Sequence, residues 1–171
     1  MNKIKQRYPL YFRLEEVREY DFDAFISFSE GDSEWVDEQL QPFMEDELEL
    51  RLCIHTRDFH GGKDIFTNIE DNIKKSKKII FIVSENFVKS SYCDFEMRLA
   101  FSMMLHALQD ERILLFIMLE KVPQKDMSDI LKFFVNTKTY LAWPEGDEND
   151  DERQHFWEHL KGIVTDEWQI F

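Results

Sequence analysis

Short apolar runs alternate along the chain with segments whose apolar residues recur at helical spacing. After the first nineteen residues, five apolar runs predict β-strands. The predicted strands are residues 22–28, 51–55, 78–83, 113–119 and 139–143. The third and fourth runs are apolar at consecutive positions, which is typical of a parallel sheet covered by helices on both faces. The pattern therefore predicts alternating strand and helix units.

The segments between the strands predict amphipathic helices. Apolar stripes at residues 35–44 and 65–73 follow the helical period, and we expect both to face the core. Asp32 or Ser33 is expected to cap the first of these helices. Pro42 is expected to bend the same helix, because proline lacks a backbone N–H.

Three more helices complete the predicted set. One begins near Ser91, where Asp94 is placed to complete a capping box. The others cover residues 128–135 and 151–165. Five units of this kind predict an α/β fold, a flavodoxin-like open sheet of five parallel strands in the order 2-1-3-4-5, with helices on both faces.

The charge balance excludes one class of partner. The chain has 21 Lys and Arg against 35 Asp and Glu, a net charge of −14, which repels nucleic acid and favours a basic or mixed protein surface. No apolar run approaches the roughly 18 residues of a membrane span. The two cysteines, Cys53 and Cys93, lie in predicted elements and favour a reducing compartment, either as small buried hydrophobes or as a redox switch.

The first nineteen residues differ from the rest of the chain. They carry five basic residues and three acids, so we interpret residues 1–19 as a linker or leader and residues 20–171 as one domain. Two interpretations of the leader are open. It is either a solvated tail or a juxtamembrane segment whose cations favour an anionic membrane surface by ~1 kcal/mol each.

Three stretches of the chain carry motifs that occur together in one family. Residues 22–29 read FDAFISFS, residues 51–63 read RLCIHTRDFHGGK, and residues 156–157 read FW. In this order and spacing they resemble boxes 1, 2 and 3 of the TIR (Toll and interleukin-receptor homology) domain of Toll-like receptors. Residues 84–90 and 136–144 also match that family, so the resemblance covers nearly all of the chain from residue 20 to residue 157.

The resemblance implies a function in innate immune signalling. It implies a cytoplasmic module that associates with other TIR domains, both of its own receptor and of adaptor proteins. The membrane would be reached only through an attached receptor, and no cofactor is implied. A soluble adaptor or a secreted bacterial mimic is a further class of protein that could share these motifs.

The loop after the second predicted strand is the candidate partner-binding site. The resemblance places the BB loop of the family here, and doubly wound sheets bind ligands at the carboxyl ends of their strands. The candidate partner-binding residues are Arg57, Asp58, Phe59, His60, Gly61, Gly62 and Lys63. An aromatic anchor beside flexible backbone suits an interface hot spot. In the other interpretation, Arg57 and Asp58 only close the turn and Phe59 belongs to the core.

Gly61 departs from the family pattern. The family commonly has proline before the second glycine of this loop, whereas this chain has two adjacent glycines. Glycine frees the backbone that proline would restrict, so we expect a more flexible loop. The choice of adaptor and the docking geometry are therefore open.

A second motif supports an alternative function. Residues 92–96 read YCDFE and resemble the segment that carries the catalytic glutamate in NAD-cleaving TIR domains of plants, bacteria and an animal axon-degeneration protein. Glu96 is the matching position, and the alternative is an NAD glycohydrolase whose carboxylate stabilises oxocarbenium-like charge. Against it, a carboxylate near a helix N-terminus is favoured without any catalytic role, and the acids of residues 29–32 would repel the phosphates of NAD.

Two histidines have a spacing that can bind metal. His155 and His159 lie at positions i and i+4 of the last predicted helix. The residues between them do not form the HExxH motif of zinc proteases. The sequence therefore predicts no metal site.

Overall fold

A five-stranded parallel sheet forms the centre of the molecule. The computed structural model describes residues 20–58, 61–62, 64–106, 114–137, 140–146 and 150–167, so the predicted leader lies outside the described residues. The strands are β1 (Phe22–Ser27), β2 (Leu52–Ile54), β3 (Ser76–Val83), β4 (Leu114–Met118) and β5 (Leu141–Ala142). Their order is β2-β1-β3-β4-β5 and every neighbouring pair is parallel. The predicted fold class and strand order are confirmed.

Every strand differs from its predicted bounds by one or two residues, and two of these differences have a visible cause. β3 begins at Ser76 rather than at Lys78, because Ser76 pairs with Phe22 of β1. β2 ends at Ile54, because the chain turns directly into a short helix at His55. A helical turn after β2 was not predicted.

Helices connect the strands. They are α1 (Ser33–Trp35), α2 (His55–Asp58), α3 (Ile65–Lys74), α4 (Glu85–Lys89), α5 (Ser91–His106), α6 (Asp129–Thr137) and α7 (Asp150–Val164). Short 3₁₀ helices lie at Glu30–Asp32 and Gln124–Asp126, and π-helical segments at Val36–Leu40 and Pro42–Glu47 continue α1. Pro42, where a bend was predicted, begins the second of these π-helical segments, a rare winding that is one of the known causes of helix kinks. None of the helices in the described ranges is long and apolar enough to span a membrane.

The two faces of the sheet bury separate apolar clusters. Along β3, Ile79, Phe81 and Val83 face the cluster that includes α3, α5 and α6, whereas Ile80 and Ile82 face the cluster of the first helix and α7. This alternation is the strand period of two, with both faces covered. The prediction of helices on both faces is confirmed.

Three tryptophans join α7 to its neighbours on the second face. The ring of Trp35, in α1, lies 5.3 Å from that of Trp143, which directly follows β5, and 6.4 Å from that of Trp157 in α7. Trp143 and Trp157 are themselves 5.4 Å apart. The FW motif of α7 is therefore part of an aromatic cluster that fixes this helix to the sheet.

The two predicted helix caps have different outcomes. Asp32 occupies the N-cap position of α1, as predicted, but its side chain makes no capping hydrogen bond there. At α5 the cap is Ser90, whose hydroxyl accepts a hydrogen bond from the N–H of Cys93 at 3.2 Å. Asp94 instead pairs with Arg98 one turn later, at 2.6 Å. The predicted capping box at Ser91 is wrong, because Ser91 is the first residue of α5 and the N-cap position therefore falls on Ser90.

A buried lysine ties the end of the domain to the sheet. Lys78 of β3 is only 2% exposed, and its ammonium group contacts the carboxylate of Asp166, just beyond α7. The same carboxylate also binds the exposed ammonium group of Lys77. Asp166 has a φ of 60°, the left-handed conformation that Asp and Asn adopt more readily than other side chains do.

Candidate functional site

The first part of the candidate loop is a helical turn at the edge of the sheet. α2 follows the edge strand β2, and the carboxylate of Asp58 accepts a hydrogen bond from the N–H of Ile54 at 2.8 Å. Asp58 therefore closes the turn, as one of the two sequence interpretations held. Phe59, His60 and Lys63 lie outside the described residues, and the Arg57 side chain is not among those described.

The two glycines of the loop are open to solvent. A Cβ atom added to Gly61 or Gly62 would meet nothing within 4 Å. Gly62 has a φ of +87°, a backbone conformation that glycine adopts at little cost. The backbone is therefore accessible at Gly61 and Gly62.

Two large apolar side chains follow the loop and are exposed. Ile65 is 47% exposed and Phe66 is 57% exposed, whereas Ile69 and Ile73 of the same helix are buried. Phe66 lies against Phe95 of α5, with ring centroids 4.7 Å apart in an edge-to-face arrangement. The prediction that Ile65 and Phe66 face the core is wrong, because the first turn of α3 extends beyond the apolar cluster that its later turns cover. We call Gly61, Gly62, Ile65, Phe66 and Phe95 the loop–α3 surface.

Hydrogen bonds join the loops that follow β1 and β3. The strand order reverses between these two strands, at the position where doubly wound sheets have their binding crevice. The carboxylate of Asp32 accepts hydrogen bonds from the Ser84 hydroxyl at 2.5 Å and from the Asn86 amide at 3.1 Å. Asp32 thus links two loops across the crevice instead of capping α1.

Gly31→Ala tests this link. A Cβ atom at Gly31 would lie 2.7 Å from the Asn86 side-chain nitrogen, so the amide must move away from Asp32. We expect the free energy of unfolding, measured by urea denaturation, to fall by about 1 to 2 kcal/mol, the cost of a disrupted, partly buried hydrogen bond to a charged group. Gly61→Ala is the matched control, because its Cβ meets open space. Equal stability of the two variants would contradict the close approach.

The carboxyl group of Glu96 lies inside the domain. Its side chain, from α5, is 0% exposed, and Oε2 accepts a hydrogen bond from the Ser27 hydroxyl at the end of β1. Oε1 has no hydrogen-bond partner among the described residues. Burial raises the pKa of Glu96 to about 8, although the hydrogen bond from Ser27 acts in the opposite direction. The carboxyl group is therefore mainly neutral at pH 7.

Aromatic and imidazole rings lie beside this carboxyl group. Burial and the charge of Glu96 raise the pKa of Tyr92, whose hydroxyl is near the carboxyl group without hydrogen-bond geometry to it. The Tyr92 ring lies 5.7 Å from that of His55, and His55 lies 5.0 Å from Phe28. Burial lowers the pKa of His55, partly offset by the charge of Glu30. The surroundings of Glu96 thus favour uncharged side chains.

This geometry does not favour the alternative function. Stabilising an oxocarbenium-like charge requires an ionised carboxylate in contact with the sugar. Glu96 is fully enclosed, and its burial raises its pKa to about 8, which disfavours the ionised form. Catalysis by Glu96 therefore stays a prediction from the motif alone.

Both cysteines are buried free thiols. Cys53 lies in β2 and Cys93 in α5, and each is 0% exposed. Burial raises the pKa of Cys93 to about 12, which keeps the thiol protonated and unreactive at neutral pH. The structure favours the interpretation of the cysteines as small core residues.

Comparison with known proteins gives the family. The TIR domain model matches residues 21–168. The chain is 40% identical to Toll-like receptor 2 of Canis lupus familiaris over 151 residues, which are 86% of this chain and 19% of the receptor. It is 39% identical to Toll-like receptor 6 of Homo sapiens over 156 residues, 89% of this chain and 19% of that receptor.

A solved structure agrees with these sequence matches. The TIR domain of the Toll-related receptor TRR-2 from Hydra magnipapillata superimposes with a TM-score of 0.64 at 25% identity, covering 84% of this chain and 98% of that one. The chain spans about a fifth of the length of the receptors that it matches, 19% for both of those named above. The motifs, the fold and the matches agree, and the chain belongs to the TIR domain family.

Proposed function

We propose that this chain is the cytoplasmic signalling domain of a Toll-like receptor and that it associates with other TIR domains. The partners are further copies of the receptor domain and the TIR domains of adaptor proteins, in innate immune signalling. Similarity to Toll-like receptors over most of the chain supports this proposal. The membrane is reached through the rest of the receptor.

The observation that carries the proposal is the exposure of Phe66. Phe66 is 57% exposed and lies beside the exposed Ile65. A partner that covers these side chains removes their apolar surface from water, which favours binding. Aromatic side chains at the centre of a contact supply much of the binding energy of interfaces. The exposed glycines next to it allow the loop to adapt to the surface of a partner. The loop–α3 surface therefore has both an anchor and an adjustable border.

Net charge sets the strength of self-association. Each copy carries a charge of −14, so two copies repel each other at low ionic strength. Salt screens this repulsion, with a Debye length of about 10 Å at 0.1 M. Receptor dimerisation raises the local concentration of tethered domains to about the millimolar range, where weak contacts become occupied. Association is therefore weak for the free domain and effective for the tethered one.

Phe66→Asp tests the proposed surface. The substitution removes the apolar anchor and adds a negative charge, so we expect self-association to weaken by about tenfold or more. Light scattering and sedimentation across a salt series measure it, and wild-type association should increase with salt. Phe133→Asp is the matched control, because Phe133 is 53% exposed on α6, outside the loop–α3 surface.

Two outcomes would contradict this proposal. Equal loss of association in the Phe66 and Phe133 variants would show that the loop–α3 surface is not the contact. Tighter association of the wild-type chain at low salt would show that attraction between unlike charges dominates the contact. Unfolding curves of both variants check that the fold is intact.

A further inference from the structure

Two histidine rings lie side by side on α7. The ring centroids of His155 and His159 are 4.2 Å apart, with an angle of 47° between the ring planes. His155 is exposed and His159 is partly exposed, while Phe156 and Leu160 of the same helix are buried against the sheet. Burial of Phe156 and Leu160 fixes α7 on the sheet, and the two imidazoles lie one turn apart on the outer side of this helix.

This arrangement suits one class of ligand. Neutral imidazole nitrogen is a ligand for Zn²⁺, Cu²⁺ and Ni²⁺, whereas Mg²⁺ and Ca²⁺ prefer oxygen ligands. Two imidazoles on one helix, one turn apart, approach a single cation from the same side. Asp150, Asp151 and Glu152 in the first turn of α7 add negative charge that attracts cations to this end of the helix.

We propose that His155 and His159 bind one imidazole-preferring divalent cation on the outer side of α7. Among the described residues, where no group of three or more potential ligands occurs, the two imidazoles are the ligands of the proposed site, and water fills the other positions. The bound cation joins adjacent turns of α7, which carries the FW motif and part of the aromatic cluster. Binding therefore stabilises the helix, independently of the proposed association with other TIR domains.

Titration with Ni²⁺ tests the site, because Ni²⁺ binds imidazole without oxidising the thiols. Calorimetry of the 171-residue chain should give one Ni²⁺ per chain. At ten times the Kd, the Tm should rise by about 3 to 6 °C. His155→Gln and His159→Gln should each reduce the affinity at least tenfold, because each removes one of the two imidazole ligands.

A composition-preserving variant is the control. His159→Lys combined with Lys161→His keeps the charge and the number of histidines. It places the second imidazole about 240° around the helix axis from His155. The affinity for Ni²⁺ should fall at least tenfold in this variant, as it does in His155→Gln. Unchanged Ni²⁺ affinity in either variant would overturn the proposal, since the ion would then be held elsewhere. Circular dichroism verifies that α7 remains folded.

Discussion

Glu96→Gln should raise the free energy of unfolding at pH 8 by ~4 kcal/mol. In the folded domain, burial raises the pKa of this carboxyl group from 4.5 to about 8. Above pH 8 the wild-type protein must hold a buried negative charge with a single hydrogen-bond donor, the Ser27 hydroxyl, among the described residues. Glutamine has nearly the same shape and no charge, so it avoids the cost of that charge.

The pH dependence follows from the two protonation equilibria. In the unfolded chain Glu96 ionises near its ordinary pKa of 4.5, whereas in the folded chain it keeps its proton up to about pH 8. Between these values the folded state binds more protons than the unfolded state, so stability falls as pH rises, by roughly 1.4 kcal/mol per pH unit. The neutral carboxyl group thus supports the fold fully below pH 4.5, and this contribution is lost as pH rises through 8.

Urea denaturation at several pH values measures this effect. The difference in unfolding free energy between Glu96→Gln and wild type should grow steadily from pH 5 to pH 8, and this difference cancels the titration of other groups. Glu38→Gln, at an exposed position of the first helix, should leave the pH profile unchanged. A Glu96→Gln variant that loses stability with pH as steeply as wild type would contradict the assignment.

Asp166→Asn should destabilise the domain by ~3 kcal/mol, because it leaves the buried ammonium group of Lys78 without its counterion. Asparagine tolerates the left-handed backbone at this position, so the loss reports the charge rather than the backbone. Burial raises the pKa of Asp166, but hydrogen bonds from Lys77 and Lys78 outweigh it and lower the pKa below its ordinary value. The contribution of the pair is present above the ordinary pKa of Asp and is lost as pH falls through the lower folded value.

A double-mutant cycle isolates this pair. Lys78→Met in the Asp166→Asn background removes the uncompensated charge and should recover most of the lost stability, measured by urea denaturation at pH 7. Lys77→Gln is the control, because Lys77 contacts the same carboxylate from an exposed position, where an ion pair contributes at most about 1 kcal/mol. If Asp166→Asn stayed within about 0.5 kcal/mol of wild type, the pair would not hold the end of the domain.

The sequence predicted the sheet well because its strands are apolar on both faces. After Lys78, residues 79–83 are all apolar, so neither face of this strand suits contact with solvent. That pattern occurs where helices cover both faces of a sheet. The order of the strands followed from the class of fold. The helical turn of α2 could not be predicted, because its residues resemble a loop. The turn is closed by the hydrogen bond from the N–H of Ile54 to the carboxylate of Asp58.

The candidate site was only partly predictable, because local rules and tertiary contacts disagree there. Near the start of α5, the helix dipole favours an ionised carboxylate, but Glu96 is buried beside Ser27 of β1, and this burial raises its pKa. Asp32 has the sequence context of a helix cap, yet its partners Ser84 and Asn86 come from another loop. Phe66 has the spacing of a core residue, but it is exposed because the apolar cluster does not extend as far as the first turn of α3.

The aromatic cluster of Trp35, Trp143 and Trp157 gives intrinsic fluorescence three reporters on one face of the sheet, while the fourth tryptophan, Trp168, lies outside the described residues. The three indoles belong to the second face of the sheet, with α7, whereas Phe95 of the loop–α3 surface belongs to the first. Emission from these three indoles is therefore sensitive to detachment of α7 from the sheet and insensitive to a partner that covers Phe66.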